Sequence, residues 1–127
     1  MALRISDLAR AGGVGVETVR FYQRKGLLEA PAGPATAGRH YGSDDVRRLR
    51  FIRSAQQAGF ALAEITELLE LDRSNDRARA REMAAARIAD LDRQIAALSR
   101  AREQLGRLAR ECARGGKGPC PIIASFE

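Results

Sequence analysis

Few residues in this chain have the type and spacing to do chemistry, and two stand apart. Cys112 and Cys120 are its only cysteines, with seven residues between them and Pro121 directly after the second. The stretch Arg114-Gly115-Gly116-Lys117-Gly118 between them is flexible enough to bring the two sulfurs together. Its cations favour the thiolate, which is the form that binds metal. Two thiolates with no other soft ligand suit linear coordination, and soft sulfur selects Cu(I), Ag(I), Au(I) or Hg(II). Zinc normally takes four ligands. No third Cys is present, and the one His, His40, falls in a Gly/Pro-rich stretch where a structural role is expected. Two other readings stay open for the pair: a disulfide-forming redox switch, or Cys112 as the last core slot of a helix with Cys120 idle in a tail. Enzyme chemistry is not expected. No nucleophile has a His partner beyond His40, and Gly12-Gly13-Val14-Gly15 has no strand before it, as a nucleotide-binding loop needs.

The second group is the cations. Twenty-two Lys plus Arg face sixteen Asp plus Glu in 127 residues, a net charge of +6, with a sequence pI near 10.3. A pI above about 9 in a small chain points to a polyanion, usually nucleic acid. Nearly all the cations are Arg, with Lys25 and Lys117 the exceptions. They need elements to position them. Residues 5–11 read as a short helix capped by Ser6 or Asp7 and ended by Gly12-Gly13. Residues 16–25 read as a second, with Glu17 in its first turn and Gly26 as its stop. Two short helices joined by a glycine turn form a helix-turn-helix pattern. Its second helix would enter the major groove with Glu17, Thr18 and Arg20 on one face, and Tyr22 and Arg24 nearby. Residues 27–42 carry Pro31, Gly33-Pro34, Gly38 and Gly42. Ala37 to Tyr41 fits a short hairpin, a wing with Arg39 at its tip. Ser43 is the expected cap of the next helix, which turns Val46, Leu49, Ile52 and Ala55 inward and ends at Gly59. A further helix over 62–71 leads to a polar hinge at 72–76.

From Arg77 onward the pattern changes to a rod. Ala84, Ile88, Leu91, Ile95, Leu98, Leu105, Ala109 and Cys112 fall at heptad steps, with Arg102 in one apolar slot. At 1.5 Å per residue such a helix is roughly 50 Å long. It cannot bury its own seam, so a partner helix is expected. The expected organisation is a DNA-binding part over 1–71, the hinge 72–76, a dimerisation helix over 77–111 and a thiol loop with a short terminal helix over 112–127. No apolar run approaches the roughly 20 residues of a membrane span, and the N-terminal residues lack a signal-peptide core. The expected location is the cytoplasm, where thiols stay reduced.

Val16-Glu17-Thr18-Val19-Arg20-Phe21-Tyr22-Gln23-Arg24-Lys25-Gly26-Leu27-Leu28, with Arg39-His40-Tyr41 and residues 51–60, resembles the MerR family of transcription regulators. The resemblance covers nearly the whole chain, from Ile5 to Phe126. It implies a mainly α fold: a winged helix-turn-helix, linking helices, and an antiparallel coiled coil that makes a homodimer. It also implies an activator that binds double-stranded promoter DNA and, charged with effector, distorts it so that RNA polymerase can use it. Carried over by motif, Arg20 and Tyr22 would be recognition-helix contacts, Arg39 and Tyr41 wing contacts, and Arg53 a backbone contact. Ala61 departs from the Ser or Thr common after Gly-Phe, which weakens a helix cap.

Within that family the resemblances divide. Cys112-x7-Cys120-Pro121-Ile122-Ile123 resembles the metal loop of the copper, silver and gold regulators. The DNA-binding half and the tail Cys-Pro-Ile-Ile-Ala-Ser-Phe are most like the mercury-resistance regulators, which use a third Cys where this chain has Arg77, or Asp76 if the loop shifts by one. A bis-thiolate holding a +1 ion keeps one negative charge, which Arg77 from a partner subunit could neutralise. With a +2 ion the site is already neutral, and a buried Arg77 would be left unpaired. On that count the expected effector is Cu(I), Ag(I) or Au(I), with Hg(II) the alternative. A redox sensor or a ligand-free architectural DNA binder are the readings of another class.

Overall fold

A computed structural model of the chain describes residues 3–31 and 40–126. Their regular structure is helical apart from one isolated antiparallel bridge, in which Leu3 and Tyr41 exchange peptide hydrogen bonds of 3.0 and 2.7 Å. The chain divides into two compact units, Met1–Arg81 and Glu82–Glu127.

The first unit holds α1 (Ile5–Ala11), α2 (Val16–Arg24), α3 (Ser43–Gln57), α4 (Leu62–Ser74) and the start of α5 (Arg77–Ala113). Three of these helices begin alike. An acid at the third helical position accepts a hydrogen bond from the peptide N–H of the residue before the helix, satisfying one orphan donor. Asp7 does this for Arg4 at 3.1 Å, Asp45 for Gly42 at 2.8 Å and Glu64 for Ala61 at 2.8 Å. The caps expected at Ser6 or Asp7 and at Ser43 are therefore displaced: Arg4 and Gly42 are the cap residues. At Ala61 the missing hydroxyl removes only half of the reciprocal pair. α1 turns into α2 through Gly13 at φ 71°, and α2 is closed by Gly26 at φ 77°, a region glycine enters without strain.

The core joins all four helices through Leu8, Val19, Tyr22, Leu27, Leu49, Ile52 and Ile65, each fully buried. Burying an aliphatic side chain of this size contributes about 1.5–3 kcal/mol, so this cluster dominates the unit. Gly12, at the end of α1, lies against Leu49 of α3. A Cβ placed there would lie 2.4 Å from Leu49 Cδ2.

α4 continues to Ser74, three residues beyond the expected end, so the break before α5 is Asn75-Asp76 and not 72–76. Asp72, Arg73 and Ser74 are exposed. Their polarity marks a solvent-facing turn of helix, and the helix stops only where Asn75 takes a left-handed conformation at φ 57°.

The second unit is the remainder of α5 with α6 (Pro121–Ala124). α5 is 37 residues long and includes Cys112 in its last turn. Its seam is uncovered in the single chain, with Ile95 60% and Leu98 70% exposed. No helix among the described residues is long and apolar enough to cross a membrane. α6 opens with Pro121 at its first position, where the missing N–H costs nothing.

Candidate functional site

The thiol pair is built by the end of one helix and the start of the next. Cys112 is exposed on the last turn of α5, and Cys120, half-buried, is the cap residue of α6. Between them the chain reverses through Gly115, Gly116 and Gly118, at φ 75°, 139° and 115°. L-residues reach these values only at a cost. The reversal brings the sulfurs to 3.0 Å. Either sulfur can be the donor in this contact, so the pair shares a proton. The Cys112 thiol is pushed up, first by that bond and then by the charge on the neighbouring sulfur. Cys120 is lowered, first by the same bond and then by the peptide N–H groups of Ile123 and Ile122.

The donor set fits a two-ligand soft ion. Among the described residues no cluster of three His, Cys, Asp or Glu side chains could hold a metal, whereas a closed zinc site takes four ligands. Arg77 is the first residue of α5, whereas Cys112 lies in its last turn. In the first unit Arg77 lines a groove of about 680 Å³ together with Asp44, Asp72 and Asp76.

The residues expected at nucleic acid are only partly together. Glu17, Thr18, Tyr22 and Arg53 line one groove of about 390 Å³, joined by Phe21 and Gln56. Arg20 is exposed beside it, with its Nη1 3.6 Å from Glu17 Oε1. Arg39 lies outside the described residues, as does most of the expected wing hairpin. Tyr22 and Tyr41, expected at DNA by motif, are also core residues, 2% and 3% exposed. Their rings belong to the cluster formed with Leu8, Val19, Leu49 and Ile52. Their hydroxyls work inward: Tyr22 donates to Gln56 Oε1, and Tyr41 accepts from Gln23 Nε2 at 2.9 Å. Arg48 and Arg50 on α3 also work inward, donating to Leu27 O at 2.7 Å and Ala11 O at 3.3 Å. They tie down the carbonyl ends of the two motif helices.

Sequence reasoning missed Gln56. It stands three residues after Arg53 on α3, and such neighbours share a helix face. That spacing was the available signal.

These features define a helix-turn-helix protein whose second unit carries a convergent thiol pair. Residues 3–72 match the family described as MerR HTH family regulatory protein, and residues 46–108 match MerR, DNA binding. The chain belongs to the MerR family of helix-turn-helix regulators, whose members are DNA-binding regulators and not enzymes. A mercuric resistance operon regulatory protein of Shigella flexneri is 45% identical over 126 residues, covering 98% of this chain and 88% of that protein. Among solved structures, the regulator PbrR691 of Ralstonia metallidurans in complex with lead(II) matches with a TM-score of 0.71. It is 30% identical and covers 98% of this chain and 99% of that one. MerR of Bacillus megaterium in complex with mercury(II) matches at TM-score 0.65 and 33% identity, with 98% of each chain covered.

Proposed function

We propose that this chain is a metal-responsive regulator that binds promoter DNA as a homodimer and changes that DNA's shape when a soft ion is held by Cys112 and Cys120. The observation that carries the reading is the 3.0 Å approach of two sulfurs at the far end of a helix whose apolar seam has no cover in one chain. An antiparallel partner helix would cover the seam. Closing the loop on an ion favours one arrangement of the DNA-binding units only if the ion binds that arrangement more tightly.

For the ion, we place Hg(II) first and Cu(I), Ag(I) or Au(I) second. The ligand count suits either. The argument for a monovalent ion needed a buried Arg77 from a partner subunit, and Arg77 is exposed in the single chain. Without that cation, a neutral bis-thiolate with a +2 ion avoids an uncompensated charge. The whole-length likeness to a mercuric resistance regulator supports the same choice. Titration of the reduced protein with Hg(II), Ag(I), Cu(I) and Zn(II), read by transcription from its promoter, tests this. The expected response is to Hg(II) at the lowest concentration, lost in Cys112→Ser and Cys120→Ser. A response surviving both substitutions overturns the thiol site. The same close sulfurs favour one rival, a disulfide switch; transcription answering a hydroperoxide and no metal would establish that reading instead.

A further inference from the structure

We propose that Gln56, held in orientation by Tyr22, is a DNA-phosphate ligand, and that its amide, the Thr18 hydroxyl and the Arg53 guanidinium form one subsite for a backbone phosphodiester. The inference rests on the DNA-binding reading above and extends it to Gln56, which no motif assigns.

The buried Tyr22 hydroxyl donates to Gln56 Oε1. An amide whose oxygen is engaged presents its NH₂ on the opposite side. Gln56 Nε2 has no hydrogen-bond partner among the described residues, and it is not among their sealed, unsatisfied atoms, so it opens to solvent. The same holds for Thr18 Oγ1 and for the Arg53 guanidinium, which has no ion pair among the described residues. All three line the groove between α2 and α3. Of the other polar groups there, the exposed Glu17 carboxylate has Arg20 as a loose counter-charge at 3.6 Å, and the Tyr22 hydroxyl is spent on Gln56. What remains is one cation and two neutral donors with no acceptor of their own. That combination suits a singly charged phosphodiester, whose oxygens accept several hydrogen bonds at once.

The arrangement also explains why a tyrosine and not a phenylalanine fills this core position. Without the hydroxyl, the Gln56 amide could rotate and offer its oxygen to the phosphate. Tyr22 is a positioning residue and Gln56 the contact.

The test uses the full-length protein and a duplex selected for tightest binding from a random pool. Gln56→Ala is expected to weaken binding by roughly tenfold, the usual cost of a hydrogen bond to a charged group. Gln56→Glu should weaken it further, by placing a carboxylate against the phosphate. Tyr22→Phe should give a smaller loss, with a thermal melt checking its fold. Gln56 is neutral, so Gln56→Ala should leave the salt dependence unchanged, whereas Arg53→Ala should reduce the slope by roughly one phosphate's worth. Replacing backbone phosphates singly by neutral methylphosphonate locates the contact. One position in each half-site should cost the wild type more than it costs Gln56→Ala, which keeps only the Arg53 and Thr18 share of that contact. If the wild type binds the duplex and Gln56→Ala binds it equally well at every position, the subsite is overturned while DNA binding stands. If the wild type selects no duplex, the DNA-binding reading itself fails, and the subsite with it.

Discussion

Gly12→Ala sets two known effects against each other, and the structure decides between them. Gly12 has φ −87°, which alanine adopts freely. Replacing glycine at such a position ordinarily stabilises by about 0.4–1 kcal/mol through the unfolded chain. Against this, the new methyl would lie 2.4 Å from Leu49 Cδ2 and 2.7 Å from Leu49 Cγ. Leu49 is fully buried and has no open side to retreat into. Overpacking of this kind costs about 1–3 kcal/mol, so the net expectation is destabilisation by about 1–2 kcal/mol. For a unit of this size that lowers Tm by roughly 4–16 °C. Gly106→Ala is the control: its Cβ meets only Arg110 Nη1 at 3.5 Å, an ordinary contact. That change should stabilise by up to about 1 kcal/mol on helix propensity. Calorimetry of both variants, with urea denaturation at fixed protein concentration, reads the signs directly. A neutral or stabilising Gly12→Ala would refute the packing of α1 against α3 on which the placement of α2 depends.

Other outcomes follow from the same residues. Arg20→Ala should weaken binding to a preferred duplex and relax base preference at one position by about 1–3 kcal/mol; unchanged preference in a competition assay would remove α2 from the groove. Metal affinity should rise with pH. The Cys112 thiol is held protonated above its ordinary value, so ion binding must expel that proton, and each proton expelled gives roughly tenfold per pH unit. The rise should persist through neutrality and level off only above the ordinary thiol range; affinity flat between pH 6 and 8 would sink the thiolate assignment. Leu98→Asp tests the seam. At a side chain that stays 70% exposed the change is worth within about 0.5 kcal/mol, but against a partner helix it buries an unpaired charge. Sedimentation should show a dimer turning to monomer, and an unaltered species would place the dimer contact elsewhere.

The helices were legible because their signals are local. Gly12-Gly13 and Gly26 bound α1 and α2, and the spacing of Val46, Leu49, Ile52 and Ala55 marks the inward face of α3. The departures arose where a residue's role depends on what lies across from it. Asp72-Arg73-Ser74 has the composition of a hinge, yet nothing in it ends a helix; Asn75 does, by its backbone conformation. Tyr22 and Tyr41 sit in a motif associated with DNA contact, and only the packing of the core cluster shows both rings buried. The two cysteines were legible as a candidate pair through the glycines between them. That the sulfurs share a hydrogen bond was not, because that depends on their 3.0 Å approach and on the N–H groups at the start of α6. Gln56 was invisible for the same reason, its partner Tyr22 lying 34 residues away.

The two kinds of chemistry sit on different compact units, and this constrains any account of regulation. Arg20, Arg53 and Gln56 belong to the first unit and the two sulfurs to the second. An ion at the sulfurs can act by favouring one arrangement of a shared element. α5 is the one helix that belongs to both units, which makes the uncovered seam the natural carrier of the signal. A coupling of 1–3 kcal/mol, or roughly 5–150-fold, is typical for such systems, and it must be reciprocal. DNA that prefers the charged arrangement must tighten the ion by the same factor. A thiol pair that bound its ion equally in both arrangements would be a metal store and not a sensor, whatever its affinity.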